Sequence, residues 1–461
     1  MDHQHPSPLV WADRPLRELL RLAWPMIIQL LSVSMMTFVD TLFIGWLGWV
    51  ELAAAGLGGM CTFTVLSFGM SVFSAARVQV GQLHGQGDAV GVKRALGAFL
   101  RLAVVLGPLT LVLGLLAAAL LPTLADHPQT GQLAARYAAL RSLAFPSGVA
   151  GAAIAQWLAA QGDSRLAMRA AVVANVAHIP LNATLIFGFD LGVEGAAVAS
   201  AIASTLENGY LLIMQRRHAI ALEAGRWTAP GFHWAYARWN DAWDAFVRGL
   251  PTGLERVLDM MAFTAIPVLL AHVGPLHVAA HQIVLQLMLL SFLPSLALSD
   301  SISVLVSQAM GAQHAALVRQ IGRMGLGVAL GYASWCGAVY LCLGKQLLRL
   351  FSSDLTLMRL ALPALGFGAL LQFLNAGYNH YKGMLRGLSV FRYVAWVAVG
   401  CAWLATPPLT YFWGVRTGQG VTGAWMALCA EVTIGVFLMV ARTYRHPVYG
   451  QARDTNTSAS W

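Results

Sequence analysis

Apolar runs of 20 residues or more recur from one end of this 461-residue chain to the other. A run of that length is what a helix needs to cross about 30 Å of hydrocarbon. Such runs fall at about 22–46, 51–80, 95–121, 133–160, 166–187, 192–215, 243–272, 277–307, 317–343, 355–384, 389–413 and 421–443. Only 11% of the residues are charged and 58% are hydrophobic, whereas a soluble domain carries about 25% charged residues. An outer-membrane barrel would instead show alternating segments of about ten residues, a pattern this sequence lacks. The runs therefore predict an all-α integral membrane fold of about twelve transmembrane helices. The first run is too long for the apolar core of a cleavable signal, and the polar stretch before it carries Arg14, Arg17 and Arg21.

The net charge of +9 would point to nucleic acid in a soluble protein. Here the basic residues sit in short loops, where topology accounts for them. Lys93 and Arg94 follow the second run, Arg165 the fourth, and Arg216, Arg217, Arg226 and Arg238 the sixth. Arg319 and Arg323 follow the eighth, Arg386 and Arg392 flank the end of the tenth, and Arg442 and Arg445 follow the twelfth. The loops after the first, fifth and seventh runs hold no Lys or Arg, and the remaining three hold only Arg136, Lys345, Arg349 and Arg416. This bias predicts a multi-pass protein of the bacterial inner membrane with both termini cytoplasmic. The lipid bilayer is then a partner and nucleic acid is not. The chain divides into a cytoplasmic N-terminus (1–21), an N-lobe (22–215), a basic linker holding Pro230 and Gly231 (216–242), a C-lobe (243–443) and a cytoplasmic tail (444–461).

The two lobes repeat one another. Pro25 and Pro251, Gly48 and Gly274, Ala53-Ala54 and Ala279-Ala280, Val80 and Val306, Gln82 and Gln308, and Gly85 and Gly311 all stand 226 residues apart. Gly192-Val193-Glu194-Gly195-Ala196 pairs with Gly420-Val421-Thr422-Gly423-Ala424 at 228. Six helices per repeat give two parallel repeats of one orientation, related by an axis along the membrane normal. Such pairs of bundles hold a solute near the midplane and rock to expose it on either side.

Charges inside spanning segments are costly, and they point to function. Asp40 stands in the first run with no basic residue within a helical turn, so it needs a polar cavity, a proton or a cation. Asn175, His178 and Asn182 are spaced three and four apart on one face of the fifth run, and Ser200 lies in the sixth. These are expected to form a polar cavity around Asp40, although such residues also serve as glue between helices. In the C-lobe, Glu255 and Asp259 lie four apart, Asp300 is a third acidic candidate, and Asn375, Tyr378 and Asn379 stripe the tenth run. Asp40, Glu255, Asp259 and Asp300 are the expected cation or proton-coupling residues, and Asn375 and Tyr378 join the expected polar cavity. Glu207 and Glu431 rank below them.

No metal site or cofactor is expected. His272, His277 and His281 are interrupted by Gly274-Pro275, and all five cysteines fall in apolar runs with neither metal nor disulfide spacing. The sequence has no phosphate-binding P-loop, which excludes direct drive by ATP, and no hydrolase motif. Pro25, Pro146, Pro251, Pro267, Pro294 and Pro363 give the helices places to bend.

Several stretches together resemble the multidrug and toxic compound extrusion (MATE) family. They are Trp24-Pro25, Asp40, Gly45 with Gly48, and Ala53-Ala54-Ala55-Gly56; then Gly162-Asp163-Ser164-Arg165 and Gly192 to Ala197. In the second half they are Pro251 with Glu255, Ala279-Ala280-His281-Gln282, Gln308 to Ala312, and Leu385-Arg386-Gly387. The resemblance spans residues 15 to 445. It implies a monomeric secondary antiporter of two six-helix lobes, exporting cationic or amphipathic small molecules in exchange for H⁺ or Na⁺, and not an enzyme. It implies Asp40 as the first-helix coupling aspartate, with His178, Asn182 and Ser200 beside it, and Asp259 as the seventh-helix carboxylate. One usual helix-five carboxylate is absent, and Asn375 stands where sodium-coupled members often carry aspartate, which favours H⁺. A lipid-linked oligosaccharide flippase is the nearest rival, but it would line its cavity with basic rather than acidic residues. A polytopic membrane enzyme is the more distant alternative and would not need the two-fold repeat.

Overall fold

A computed structural model describes residues 9–223 and 237–449, apart from 126 and 353, with no side chains for 216–223. Residues 224–236 of the expected linker, with Arg226, Pro230 and Gly231, and most of the expected tail lie outside the described residues, as do the side chains of Arg216 and Arg217. With no water to bond, a backbone in hydrocarbon must satisfy its own polar groups, and the described residues form helices and no strand. The first repeat comprises α1 (Pro15–Gly45), α2 (Trp49–Gly85), α3 (Ala89–Leu124), α4 (Pro128–Ser142), α5 (Phe145–Ala160), α6 (Arg165–Ala183) and α7 (Gly192–Glu223). The second comprises α8 (Trp239–Ala271), α9 (Pro275–Gly311), α10 (Ala315–Arg349), α11 (Leu355–Gly387), α12 (Phe391–Leu404), α13 (Thr406–Leu409) and α14 (Gly420–Tyr444). A π-helical turn follows α6 at Thr184–Gly188 and another follows α13 at Thr410–Arg416.

By length and composition, ten spans among the described residues can cross a membrane. The pair α4 and α5, bent by 48°, makes an eleventh. The bend follows from Pro146, whose ring meets the carbonyl four residues back, at Ser142, where α4 stops. The expectation of about twelve counted α8 as well. That helix is 33 residues long, but Glu255, Arg256 and Asp259 make its apolar half too charged to pass on composition.

The sequence repeat is also a repeat of backbone geometry. Both α2 and α9 have 37 residues, and each begins after a glycine at φ 151°, Gly48 and Gly274. Gly192 at φ 55° and Gly420 at φ 56° open α7 and α14 in the same way. The remaining positive-φ residues pair at offsets of 226, 227 and 228: Gly87 with Gln313, Gly162 with Ser389, and Asp190 with Gly418. Every left-handed position among the described residues thus has its counterpart in the other repeat. The offset grows from 226 at Gly87 and Gln313 to 227 at Gly162 and Ser389 and 228 at Asp190 and Gly418, the last step falling where the second repeat breaks at Ala405 and adds α13.

Packing divides the chain into two compact units, Trp24–Val257 and Met1–Ala23 with Leu258–Trp461. The division expected in the linker thus falls within α8, because that helix runs unbroken and its first half packs with the first unit. Gly249 and Gly253 lie against Val72 and Phe68, and Arg94 makes a two-point ion pair with Asp241 (2.9 and 2.6 Å). The first unit's core gathers Val72, Phe73, Phe99, Leu106 and Ile154 from α2, α3 and α5. The second unit's core gathers Val284, Tyr340, Leu365 and Trp425 from α9, α10, α11 and α14. Of the cysteines, Cys336, Cys401 and Cys429 are buried as expected for small hydrophobes, whereas Cys342 is exposed.

In membranes, small residues let helices approach closely. Gly383 and Gly387 of α11 face Ser299, Ser303 and Val306 of α9. A methyl on Gly383 would run into the Ser299 carbonyl, and one on Gly387 would come within 2.7 Å of Val306 Cβ and 2.9 Å of the Ser303 carbonyl. Gly383→Ala is therefore expected to destabilise the protein by about 1–3 kcal/mol, read as a lower Tm in detergent. Gly366→Ala, with nothing within 4 Å of the added carbon, is expected to leave Tm unchanged or slightly raised.

Candidate functional site

Asp40 is the centre of a closed polar cluster within the first unit. It lies near the end of α1 and is only 4% exposed. α6 presents His178 and Asn182, four residues apart and so on one face, and α7 contributes Ser200; all three are fully or almost fully buried. Asn182 Nδ2 donates to Asp40 Oδ1 at 2.7 Å, and Ser200 Oγ donates to Oδ2 at 2.7 Å. His178 Nε2 stands 3.1 Å from Oδ1. His178 Nε2 also stands 3.1 Å from Ser200 Oγ and 3.3 Å from Asn182 Nδ2. His178 Nδ1 and Asn182 Oδ1 find no hydrogen-bond partner among the described residues.

The fourth partner is one that the reading of the sequence missed. Arg141, in the last turn of α4, places Nη1 3.4 Å from Asp40 Oδ2 and donates to the Tyr137 hydroxyl at 2.9 Å. Asp40 was expected to lack a basic residue within a helical turn of its own helix. It does, but its counter-charge comes from 101 positions along the chain. Arg141 is 28% exposed in its side chain against 5% for Asp40, so it reaches the carboxylate from a more open place. The signal was present, since Arg141 is a charge inside the fourth apolar run.

Asn175 does not join this cluster; its Nδ2 donates to the Ala171 carbonyl of its own helix at 3.0 Å. Asn175 therefore satisfies its own helix, as polar residues between apolar helices often do. In the second half, Glu255 is buried and Asp259 partly buried along α8, and Asp300 is partly buried in α9. On α11, Asn375 and Tyr378 are partly buried, with Lys382 Nζ 5.4 Å above the Tyr378 ring. Asn379 is buried, its carbonyl accepting from Ser299 Oγ at 2.6 Å. Glu431, ranked low from the sequence, accepts from Thr406 Oγ1 at 2.6 Å. The three histidines are held apart: His272 Nδ1 meets the Val268 carbonyl at 3.0 Å, His277 Nδ1 accepts from Val421 N at 3.1 Å, and His281 lies buried between Phe263 and Trp425. No group of three or more His, Cys, Asp or Glu suited to a metal occurs among the described residues.

The cluster is not part of the repeated scaffold. At the repeat offsets of 226 to 228, Asp40 corresponds to Ile266, Tyr137 to Ala364, Arg141 to Gly368, His178 to Ala405, Asn182 to Leu409 and Ser200 to Leu428. The second repeat has no polar side chain at these equivalent places, so packing alone does not require the polar set.

The MatE family model matches residues 25–184 and again 251–412, one copy per repeat. A probable multidrug resistance protein NorM of Deinococcus radiodurans is 28% identical over 446 residues, covering 95% of this chain and 97% of its own length. The multidrug resistance protein PmpM of Pseudomonas aeruginosa is 26% identical, with 93% and 91% covered. Among solved structures, a multidrug resistance MATE family transporter of the MOP superfamily superposes with a TM-score of 0.85 at 17% identity, over 100% of both chains. The eukaryotic MATE transporter AtDTX14 gives 0.82 at 18% identity, over 96% of this chain and 98% of its own. The chain therefore belongs to the MATE family of multi-pass membrane transporters.

Proposed function

We propose that the chain is a secondary antiporter that exports cationic or amphipathic small molecules in exchange for protons, with Asp40 as the group that takes the proton. The observation that carries this reading is the asymmetry of the repeats: a buried carboxylate with four polar partners stands in one, and apolar residues fill the equivalent places in the other. A polar cluster kept where the scaffold does without it is a functional candidate by default in a membrane. The names of the relatives, multidrug resistance proteins, support the class of cargo. The protein works as a monomer in the bacterial inner membrane with both termini in the cytoplasm.

The donors favour H⁺ over Na⁺. A hard cation is held by oxygen ligands, whereas Asn182, His178 and Arg141 present nitrogens to Asp40 and only Ser200 presents an oxygen. Na⁺ would have to enter against a guanidinium, while a proton need only displace it. Arg141 is then the internal cation that occupies the carboxylate between cycles. When a proton neutralises Asp40, Arg141 loses its counter-charge and stands as the local positive charge. That favours movement of α4 relative to α1 and disfavours a cationic cargo held nearby. Arg141 also removes the net negative charge of this cluster, so attraction of cations falls to the other carboxylates, Glu207, Glu255, Asp259, Asp300 and Glu431.

Ethidium efflux from everted vesicles, under an imposed pH or sodium gradient, tests the reading. Asp40→Asn is expected to lose at least about tenfold in rate, since general loss of a proton-transfer group costs ~10²–10⁴. Wild-type efflux is expected to follow the pH gradient and ignore sodium. A well-expressed wild type that moves no cation in either gradient would return attention to a lipid-linked cargo.

Breaking the ion pair from either side should also be measurable as stability. Removing one partner of a buried pair leaves the other uncompensated, at a cost of about 3–5 kcal/mol, less here because Arg141 is partly exposed. Arg141→Gln is expected to lower Tm in detergent more than Arg141→Lys, and the double variant Asp40→Asn with Arg141→Gln to recover part of the loss. Equal Tm values for all three would remove Arg141 from the mechanism.

A further inference from the structure

A second cluster stands apart from Asp40, wholly within the unit that holds the second repeat. A cavity of about 310 Å³ is lined by Arg319, Gly322, Arg323 and Leu326 of α10, His380 and Tyr381 of α11, Tyr444 at the end of α14, and Tyr449 just beyond it. That volume lies at the small end of ligand pockets, ~300–1,000 Å³. Its polar lining is two guanidiniums, one imidazole and three phenols, with no carboxylate.

The cavity is built by specific contacts. Arg319 Nη1 donates to the Val448 carbonyl at 2.8 Å, which draws the chain carrying Tyr449 over α10. Gly322 leaves the room that the Tyr449 hydroxyl occupies, since a methyl there would stand 3.0 Å from it. Tyr444 meets Tyr449 edge-on at 5.2 Å, and Tyr381 meets His380 edge-on at 4.9 Å. His380 is 2% exposed, and its Nδ1 has no hydrogen-bond partner among the described residues. Arg323 is exposed and forms no ion pair with a carboxylate among the described residues. A basic residue that serves only to orient the helices belongs in a loop and needs no cavity. Two arginines in a pocket free of acid, with hydroxyl donors around them, have the donor set that suits a phosphate.

We propose that this pocket binds a phosphate group, held by the Arg319 and Arg323 guanidiniums and by tyrosine hydroxyls. Under the topology expected from the basic loops, the pocket lies at the cytoplasmic ends of α10, α11 and α14, at the depth of lipid headgroups. Anionic headgroups in that leaflet draw basic residues. The phosphate thus comes either from an anionic phospholipid or from a soluble phosphate or phosphoester. Binding here is independent of Asp40 and of what the protein transports.

The test uses the full chain in nanodiscs. In phosphatidylcholine discs, inorganic phosphate is titrated by calorimetry; in parallel, phosphatidylglycerol is added and the lipid retained by the protein is read by native mass spectrometry. Arg323→Gln, at an exposed position, and Tyr444→Phe are compared with Arg165→Gln, an exposed arginine at the start of α6 in the other unit. Retention of phosphatidylglycerol alone identifies a headgroup site; saturable binding of inorganic phosphate identifies a soluble anion. In either arm Arg323→Gln is expected to weaken binding about tenfold, as loss of one charge-assisted hydrogen bond does, Tyr444→Phe less, and Arg165→Gln not at all. Binding of neither probe by wild type, or an Arg323→Gln variant that binds as wild type does, or equal weakening by Arg165→Gln, overturns the proposal.

Discussion

Hydrocarbon offers no hydrogen bonds, and that property of the bilayer governs this protein from the backbone to the buried carboxylate. A spanning segment must close its own N–H and C=O groups, so the described residues are helical between short turns. A charge on such a helix must likewise find its partners inside the protein. Asp40 finds four, from three other helices, and each is placed by ordinary helical geometry: His178 and Asn182 by their four-residue spacing, Arg141 by the last turn of a helix that Pro146 brings to an end. Small residues follow from the same constraint. With no hydrophobic drive between helices in lipid, close approach supplies the attraction, and Gly383 and Gly387 let α11 settle onto the serines of α9.

Duplication explains the scaffold, and departure from duplication marks the cluster at Asp40. The positive-φ residues pair across the repeats one for one, including places where Gln313, Ser389 and Asp190 occupy a conformation that glycine adopts in the partner copy. A backbone conformation retained despite an unfavourable residue shows that the turns were inherited as a set. The polar cluster was not: Ile266 and Leu428 stand where Asp40 and Ser200 would be. The MatE family match falls once on each repeat, so the two copies share an origin while only one carries this cluster.

Helical periodicity reaches three or four residues, and everything local in this chain was legible at that range. The spanning runs, the register of the repeat, the shared face of His178 and Asn182, and the isolation of Asp40 on its own helix could all be read along the sequence. The bend after Ser142 was foreshadowed by Pro146. Beyond that reach, the gathering of His178, Asn182 and Ser200 around Asp40 was legible as a pooling of intramembrane polar groups, and other contacts were not. Asn175 shares a face with His178 and Asn182, yet it bonds to its own helix. His272, His277 and His281 are near one another in sequence, yet one caps its own helix, one meets the start of α14 and one is enclosed by aromatic rings.

By itself, then, the sequence determined that this chain crosses a membrane many times as two like repeats, because both facts are written in composition and spacing. Which charges meet was decided only by the tertiary structure. Arg141 lies 101 residues from Asp40, and Arg319 lies 129 residues from the Val448 carbonyl that it holds. Such pairs depend on how whole helices pack side by side, and no local pattern encodes that packing.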